Sequence, residues 1–160
     1  GDVYKRQIIT YMKMKHCYIN IFIAFVVSMM FGACEIRTLD NGDLDGMWHL
    51  TRVDTLATST TADLGNERIY WSFQARLLQL DDKSGMHQSL LMRFEHNGAT
   101  LRLYDPYIYD RENGDKPLED ITLLNPFGIV APDETYTIES LSGNKMILLS
   151  GTYRMYFKKL

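Results

Sequence analysis

From Gly46 to Leu160 the apolar side chains of this chain recur mostly every second residue. That period buries one face of a strand and cannot form the apolar stripe of a helix. Met47 to Leu56 reads as a first strand, with Trp48 and Leu50 on one face and His49 and Thr51 on the other. Ala57 to Asn66, rich in Thr, Ser and Asp, reads as a loop. Glu67 to Leu80 reads as one long strand, with Ile69, Trp71, Phe73, Ala75 and Leu77 sharing a face. Asp81 to His87 turns the chain. Ser89 to His96 and Ala99 to Tyr104 then form the clearest hairpin, with Leu90, Met92, Phe94, Leu101 and Leu103 inward. Asn97-Gly98 between them is the preferred pair of a two-residue type I′ turn, in which both residues take positive φ.

Asp105 to Pro117 reads as a longer excursion, and Leu118 to Leu124 as one or two helical turns with Glu119 and Asp120 near their start. Pro126, Gly128 and Pro132 make the next stretch irregular. Strands resume at Thr135 to Leu141, Lys145 to Ser150 and Thr152 to Lys158. Seven or eight strands with short connections and no internal repeat predict an all-β domain, one antiparallel barrel or sandwich with one short helical segment. A composition 46% hydrophobic and 23% charged is that of a globular chain. The net charge of -3 provides no basic field for nucleic acid.

The N-terminal part carries a different pattern. One back-translation of Asp2 to Gln7 resembles a transposase end used in sequencing libraries, so residues 1–11 read as artefact and upstream sequence, with translation starting at Met12 or Met14. Lys13, Lys15 and His16 precede a 13-residue apolar run, Ile19 to Phe31, broken only by Asn20 and Ser28. Such a run is shorter than the ~20 residues a bilayer span requires and has the length of a signal-peptide core. Phe31-Gly32-Ala33-Cys34 resembles the lipobox of bacterial lipoproteins. Residues 12–33 are therefore expected to be a signal peptide, Cys34 the lipidated residue, 34–45 an acidic tether, and 46–160 the folded domain. Acyl chains on Cys34 would hold the protein to a lipid bilayer. Residues 1–33 carry 4 of the 17 basic and 1 of the 20 acidic side chains, which leaves 13 and 19, a net charge of -6, on the remainder. Cys17 leaves with the signal peptide, so no disulfide is expected.

No pattern for catalysis stands out. There is no G-x-S-x-G, no cysteine nucleophile and no P-loop. His49, His87 and His96 lack the spacing of a metal pair. Asn41, Asp43 and Asp45 resemble half a calcium loop, but Arg52 stands where its bidentate acid belongs. No catalytic residue, metal or cofactor is expected. Two sets of residues are candidates for binding. Trp48, Trp71, Phe73 and Phe94 would line a barrel lumen, and Arg52 would orient a polar head if it extends the Trp48 face toward the open end. Tyr104, Tyr107 and Tyr109, within Tyr104 to Asp110, would either grip a protein or glycan partner or cover the barrel end.

Gly46-Met47-Trp48 resembles the start of the lipocalin fold, where the Trp closes the barrel floor. DGMWHLTRVDTL, ERIYWSFQARLLQL, LMRFEHNGATLRL, LEDITLLNPFGI and YRMYFKKL together resemble the small lipocalin-like lipoproteins of the Bacteroidales, a likeness spanning Asp43 to Leu160. The resemblance implies an eight-stranded up-and-down barrel in the bacterial cell envelope, anchored at the outer membrane on its periplasmic or surface face. It implies no catalytic residue. It also makes Arg154 the basic residue packed over Trp48, although alternation sets Arg154 opposite Tyr153, Met155 and Phe157. Two functions follow as expectations: binding of a small hydrophobic or amphipathic ligand in the lumen, or a filled barrel that docks a partner through the tyrosine segment.

Overall fold

The structure, a computed structural model, describes residues 41–160. The expected signal peptide, Cys34 and most of the tether lie outside the described residues. A 3-10 turn, Gly42–Leu44, leads into ten strands: β1 Gly46–Thr55, β2 Thr60–Asp63, β3 Ile69–Gln74, β4 Leu77–Asp82, β5 Leu90–Asn97, β6 Thr100–Ile108, β7 Lys116–Pro117, β8 Glu134–Leu141, β9 Lys145–Leu149 and β10 Tyr153–Lys159. A second 3-10 helix, Ile121–Phe127, precedes β8. Neighbouring strands are antiparallel, in the order β1, β3, β4, β5, β6, β8, β9, β10, and β10 pairs back onto β1. Eight strands therefore close an up-and-down barrel. β2 extends the outer half of β1, and β7 extends β6. Closure pairs each of the eight barrel strands with two neighbours, and the short β2 and β7 remain as edges.

Alternation sets the faces. Trp48, Leu50, Trp71, Leu78, Leu80, Leu90, Met92, Leu101, Leu103, Met146, Leu148 and Met155 are all fully buried, in one contiguous core. Each such side chain contributes about 2 kcal/mol by leaving water. The turns at Ala75–Arg76 and Gly98–Ala99 lie at the end where β1 begins, here called the floor. The connections after β1, β4, β6 and β9 lie at the other end, the mouth.

Three expectations are corrected. Glu67 to Leu80 is not one strand. The chain reverses at Ala75–Arg76, between the paired Gln74 and Leu77, with Ala75 at φ 56°. The reversal leaves Leu77 exposed and inverts the face expected after Phe73. The Asn41 side-chain amide donates to the Ala75 carbonyl (3.0 Å), a contact no local turn residue announces. The β5–β6 hairpin is present, but Asn97 pairs with Thr100, so Gly98 and Ala99 make the turn. Positive φ at Gly98 alone is the pattern of type II′, not I′. The helical segment begins three residues later than expected. It starts at Ile121, capped by Asp120, whose carboxylate accepts from the Thr122 amide (3.0 Å).

Candidate functional site

The floor is built around Trp48. Its indole Nε1–H donates to the Leu44 carbonyl (2.8 Å), and both side chains are fully buried. Lys159 lays its Nζ 5.0 Å from the Trp48 ring centre and donates to the Asp43 carbonyl (2.8 Å). The basic residue over the floor tryptophan is thus Lys159. Arg154 faces outward and pairs with Glu139 at 2.6 Å. The parity of β10 decides this: Lys159 shares the inward side with Met155 and Phe157.

Above the floor stands an aromatic cluster. Trp71 packs against Phe157 (ring centres 4.9 Å apart) and edge-on to Tyr136 (6.2 Å). Phe73 meets Phe94 edge-on at 5.1 Å. Of the lumenal candidates, Trp48, Trp71, Phe73 and Phe94 are therefore brought together inside the barrel.

Arg52 is not among them. β1 carries one extra residue, Thr51, between Leu50 opposite Phe157 and Arg52 opposite Tyr156. This β-bulge turns Val53 inward and Arg52 outward. Arg52 binds Asp54 at 2.6 Å and stacks over Tyr156, 4.6 Å from the ring centre. That guanidinium, with Thr61 and Tyr156, holds the Asp54 carboxyl well below the usual carboxylate range.

The upper lumen is occupied by the chain itself. Between β7 and β8 the second 3-10 helix dips into the mouth, and Leu124, Phe127 and Ile129 are fully buried in the core. The Phe127 carbonyl accepts from the indole Nε1–H of Trp71 (3.2 Å). Gly128 follows at φ 80°, where any other residue would be strained. A Cβ there would lie 2.6 Å from Met155 Sδ and 3.9 Å from a Leu50 methyl. Asp120 caps one end of this plug, and the Val130 amide donates to Glu134 (3.1 Å) at the other. Its outer side is also apolar, with Ile121, Leu123 and Val130 exposed.

Tyr136 on β8 is fully buried, and its hydroxyl has no hydrogen-bond partner of ordinary geometry. Burial pushes this phenol far above its ordinary pKa, and the Glu134 carboxylate adds to the effect by its charge and by a hydrogen-bond interaction with the hydroxyl that falls short of ordinary geometry. Sequence reasoning missed both Tyr136 and the plug. The signal for the plug was the density of Leu123, Leu124, Phe127, Ile129 and Val130 across a stretch read as a short helical segment followed by an irregular connection.

The tyrosine candidates sit elsewhere. Tyr104 and Tyr107 lie on β6, not in a loop, because β6 continues past a bulge at Asp105–Pro106, with Asp105 at φ 50°. All three tyrosines are partly buried. Arg102 stacks on Tyr104 at 4.9 Å, and the Arg111 guanidinium donates to the Tyr109 hydroxyl. Tyr104 lines a cleft of about 330 Å³ on the outer wall, with Asn41, Ala75, Arg76, Phe94, Glu95 and His96. Tyr107 and Tyr109 do not line it. At the mouth, the buried Asp81 accepts from Ser89 (2.6 Å), Lys83 (2.8 Å) and Gln79 (2.9 Å). Burial alone would raise its pKa, and these donors outweigh it and hold it low. Among the described residues, no three His, Cys, Asp or Glu side chains converge as metal ligands. None of their helices is long and apolar enough to cross a membrane.

An eight-stranded up-and-down barrel, its floor closed by a first-strand tryptophan under a late basic residue, is of the lipocalin type. The chain belongs to the family of the lipocalin-like domain, which it matches over residues 29–160. It is similar to the crystal structure of a lipocalin-like protein from Bacteroides uniformis ATCC 8492, at 20% identity and a TM-score of 0.57, covering 74% of this chain and all of that one. It is also similar to the structure of an uncharacterised protein from Bacteroides eggerthii DSM 20697, at 18% identity and a TM-score of 0.53, covering 73% of this chain and 99% of that one. At these identities the two structures share the fold. No curated protein matches.

Proposed function

We propose that this protein holds a small apolar ligand in its barrel, in the space its own plug occupies, while acyl chains on Cys34 anchor it in the bacterial cell envelope, at the outer membrane. The observation that carries the lumenal reading is the origin of the upper core. Leu124, Phe127 and Ile129 come from a connection and not from the barrel strands. A connection can withdraw without breaking a strand pairing. What it would leave is a chamber above Trp71, Phe73 and Phe94, of the kind that holds one small ligand in an eight-stranded barrel. The exposed Ile121, Leu123 and Val130 give an apolar molecule a path across the mouth.

Native mass spectrometry of the purified protein, after exposure to a lipid and metabolite extract of its source, tests this reading. A discrete added mass that Trp71→Ala removes is the expected result. A bare protein mass throughout would overturn it. The anchor has its own test. Expression in a bacterial envelope should yield a protein that begins at Cys34 and carries diacylglycerol, and Cys34→Ser should abolish the modification.

A second reading is favoured by the outer cleft. Tyr104, with Arg76, Glu95 and His96 around it, combines an aromatic face with charged donors and acceptors suited to a glycan. Tyr104→Ala should then remove retention on a glycan array with the thermal midpoint unchanged. Unchanged retention would dismiss it.

A further inference from the structure

Burying a plug in a barrel leaves an imprint of what the barrel accepts. Inside the chamber, the Phe127 carbonyl of the plug meets a lumenal side chain, held by Trp71 Nε1–H at 3.2 Å. It is an uncharged acceptor on an apolar body, flanked by the fully buried Phe127 and Ile129 side chains. A second donor, the Tyr136 hydroxyl, is fully buried, has no hydrogen-bond partner of ordinary geometry and interacts with the Glu134 carboxylate. A buried hydroxyl without a well-formed bond costs free energy that a ligand acceptor would recover.

The charges inside the barrel provide no partner for an anion beside Trp71, and at the mouth Lys83 is paired with Asp81 while the His87 ring packs on Phe127. Arg52, the cation expected in the lumen, is on the outer wall paired with Asp54. Lys159 is engaged at the floor with Trp48 and the Asp43 carbonyl. Near Tyr136 the charged group is the Glu134 carboxylate, which would repel an anion. Burying a carboxylate in such a chamber without a cation is strongly unfavourable.

Resting on the lumenal reading above, we infer that the ligand is an elongated apolar molecule with an uncharged carbonyl acceptor, an ester or ketone rather than a free fatty acid. Its oxygen takes the place of the Phe127 carbonyl on Trp71 and reaches the Tyr136 hydroxyl. Plug and ligand exclude each other, so weakening the plug strengthens binding. Gly128→Ala does this selectively, because its methyl group would collide with Met155 at 2.6 Å when the plug is seated.

The test compares three probes of equal chain length: methyl hexadecanoate, hexadecanoate and hexadecane. Each is titrated by native mass spectrometry into the protein and into its Gly128→Ala, Trp71→Phe and Tyr136→Phe variants. The ester should bind tighter than the acid. Gly128→Ala should raise its affinity about tenfold by freeing the competent state. Trp71→Phe and Tyr136→Phe should each lower it about fivefold, one hydrogen bond's worth, and leave hexadecane unchanged. Tyr136→Phe removes only one oxygen, so the test survives if Trp71→Phe fails to fold. If the acid binds as well as the ester, or hexadecane matches it, the carbonyl inference is overturned and the lumenal reading stands. If Gly128→Ala binds the ester no better, exchange with the plug is overturned. If no probe binds any variant, the lumenal reading itself falls.

Discussion

At the scale of the residue, Tyr136 and Thr51 do what their neighbours in sequence do not announce. A buried phenol without a hydrogen bond of ordinary geometry, beside a carboxylate, weakens the empty protein. Tyr136→Phe should therefore stabilise the ligand-free barrel by about 1 kcal/mol, read from chemical denaturation at unchanged m. A loss of stability would mean that the hydroxyl has a partner in solution. The inward aromatics were legible because each lies in an unbroken alternation: Trp48 with Leu50, Trp71 with Phe73, Phe94 with Met92. Arg52 was misread because one bulged residue reverses parity. Nothing in Leu50-Thr51-Arg52 marks a bulge, whose cause is the pairing of β1 with β10 over a hundred residues away. The same distance hid Lys159, whose place over Trp48 is fixed by where β10 ends.

At the scale of the element, the bulge in β1 makes a prediction opposite to the usual one. Deleting a strand residue ordinarily turns every later side chain to the other face. Deleting Thr51 removes the bulge itself, leaving Leu50 inward, Arg52 outward and Val53 inward. The deletion should fold. It would lose the bonds from Thr51 Oγ1 to the Tyr156 carbonyl (3.0 Å) and from the Leu64 amide to the Thr51 carbonyl (2.8 Å), at a cost of about 1 kcal/mol each. Deleting His49 instead should unfold the barrel, and circular dichroism with thermal melting separates the two. The connection after β4 carries the clearest pH dependence. Asp81 is held low by Lys83, Ser89 and Gln79, and Asp82 by Ser84 and the His87 amide, each against its own burial. A carboxyl held low in the fold stabilises it above the unfolded value of about 3.9, and that stability is lost as pH falls through the folded value. The thermal midpoint should drop on acidification below about pH 4, and Asp81→Asn should shrink the drop. An equal drop in both proteins would place the acid sensitivity elsewhere.

At the scale of the whole molecule, period-2 alternation and close spacing of turns were enough to indicate one antiparallel barrel or sandwich, and only the resemblance that begins at Gly46-Met47-Trp48 pointed to an up-and-down barrel. Its closure, β10 onto β1, is a contact no local pattern encodes. The content of the lumen was not legible either. Whether an eight-stranded barrel is empty or filled depends on what its longest connection does. Here that connection returns through the mouth with Leu124, Phe127 and Ile129. The account as a whole turns on exchange between this plug and a ligand. Hydrogen–deuterium exchange with methyl hexadecanoate bound tests it most directly. Amides of Ile121–Phe127, Gly128 and Ile129 should lose protection while those of β3 and β10 keep theirs. A plug that stays as protected with the ester bound as without it would contradict the account.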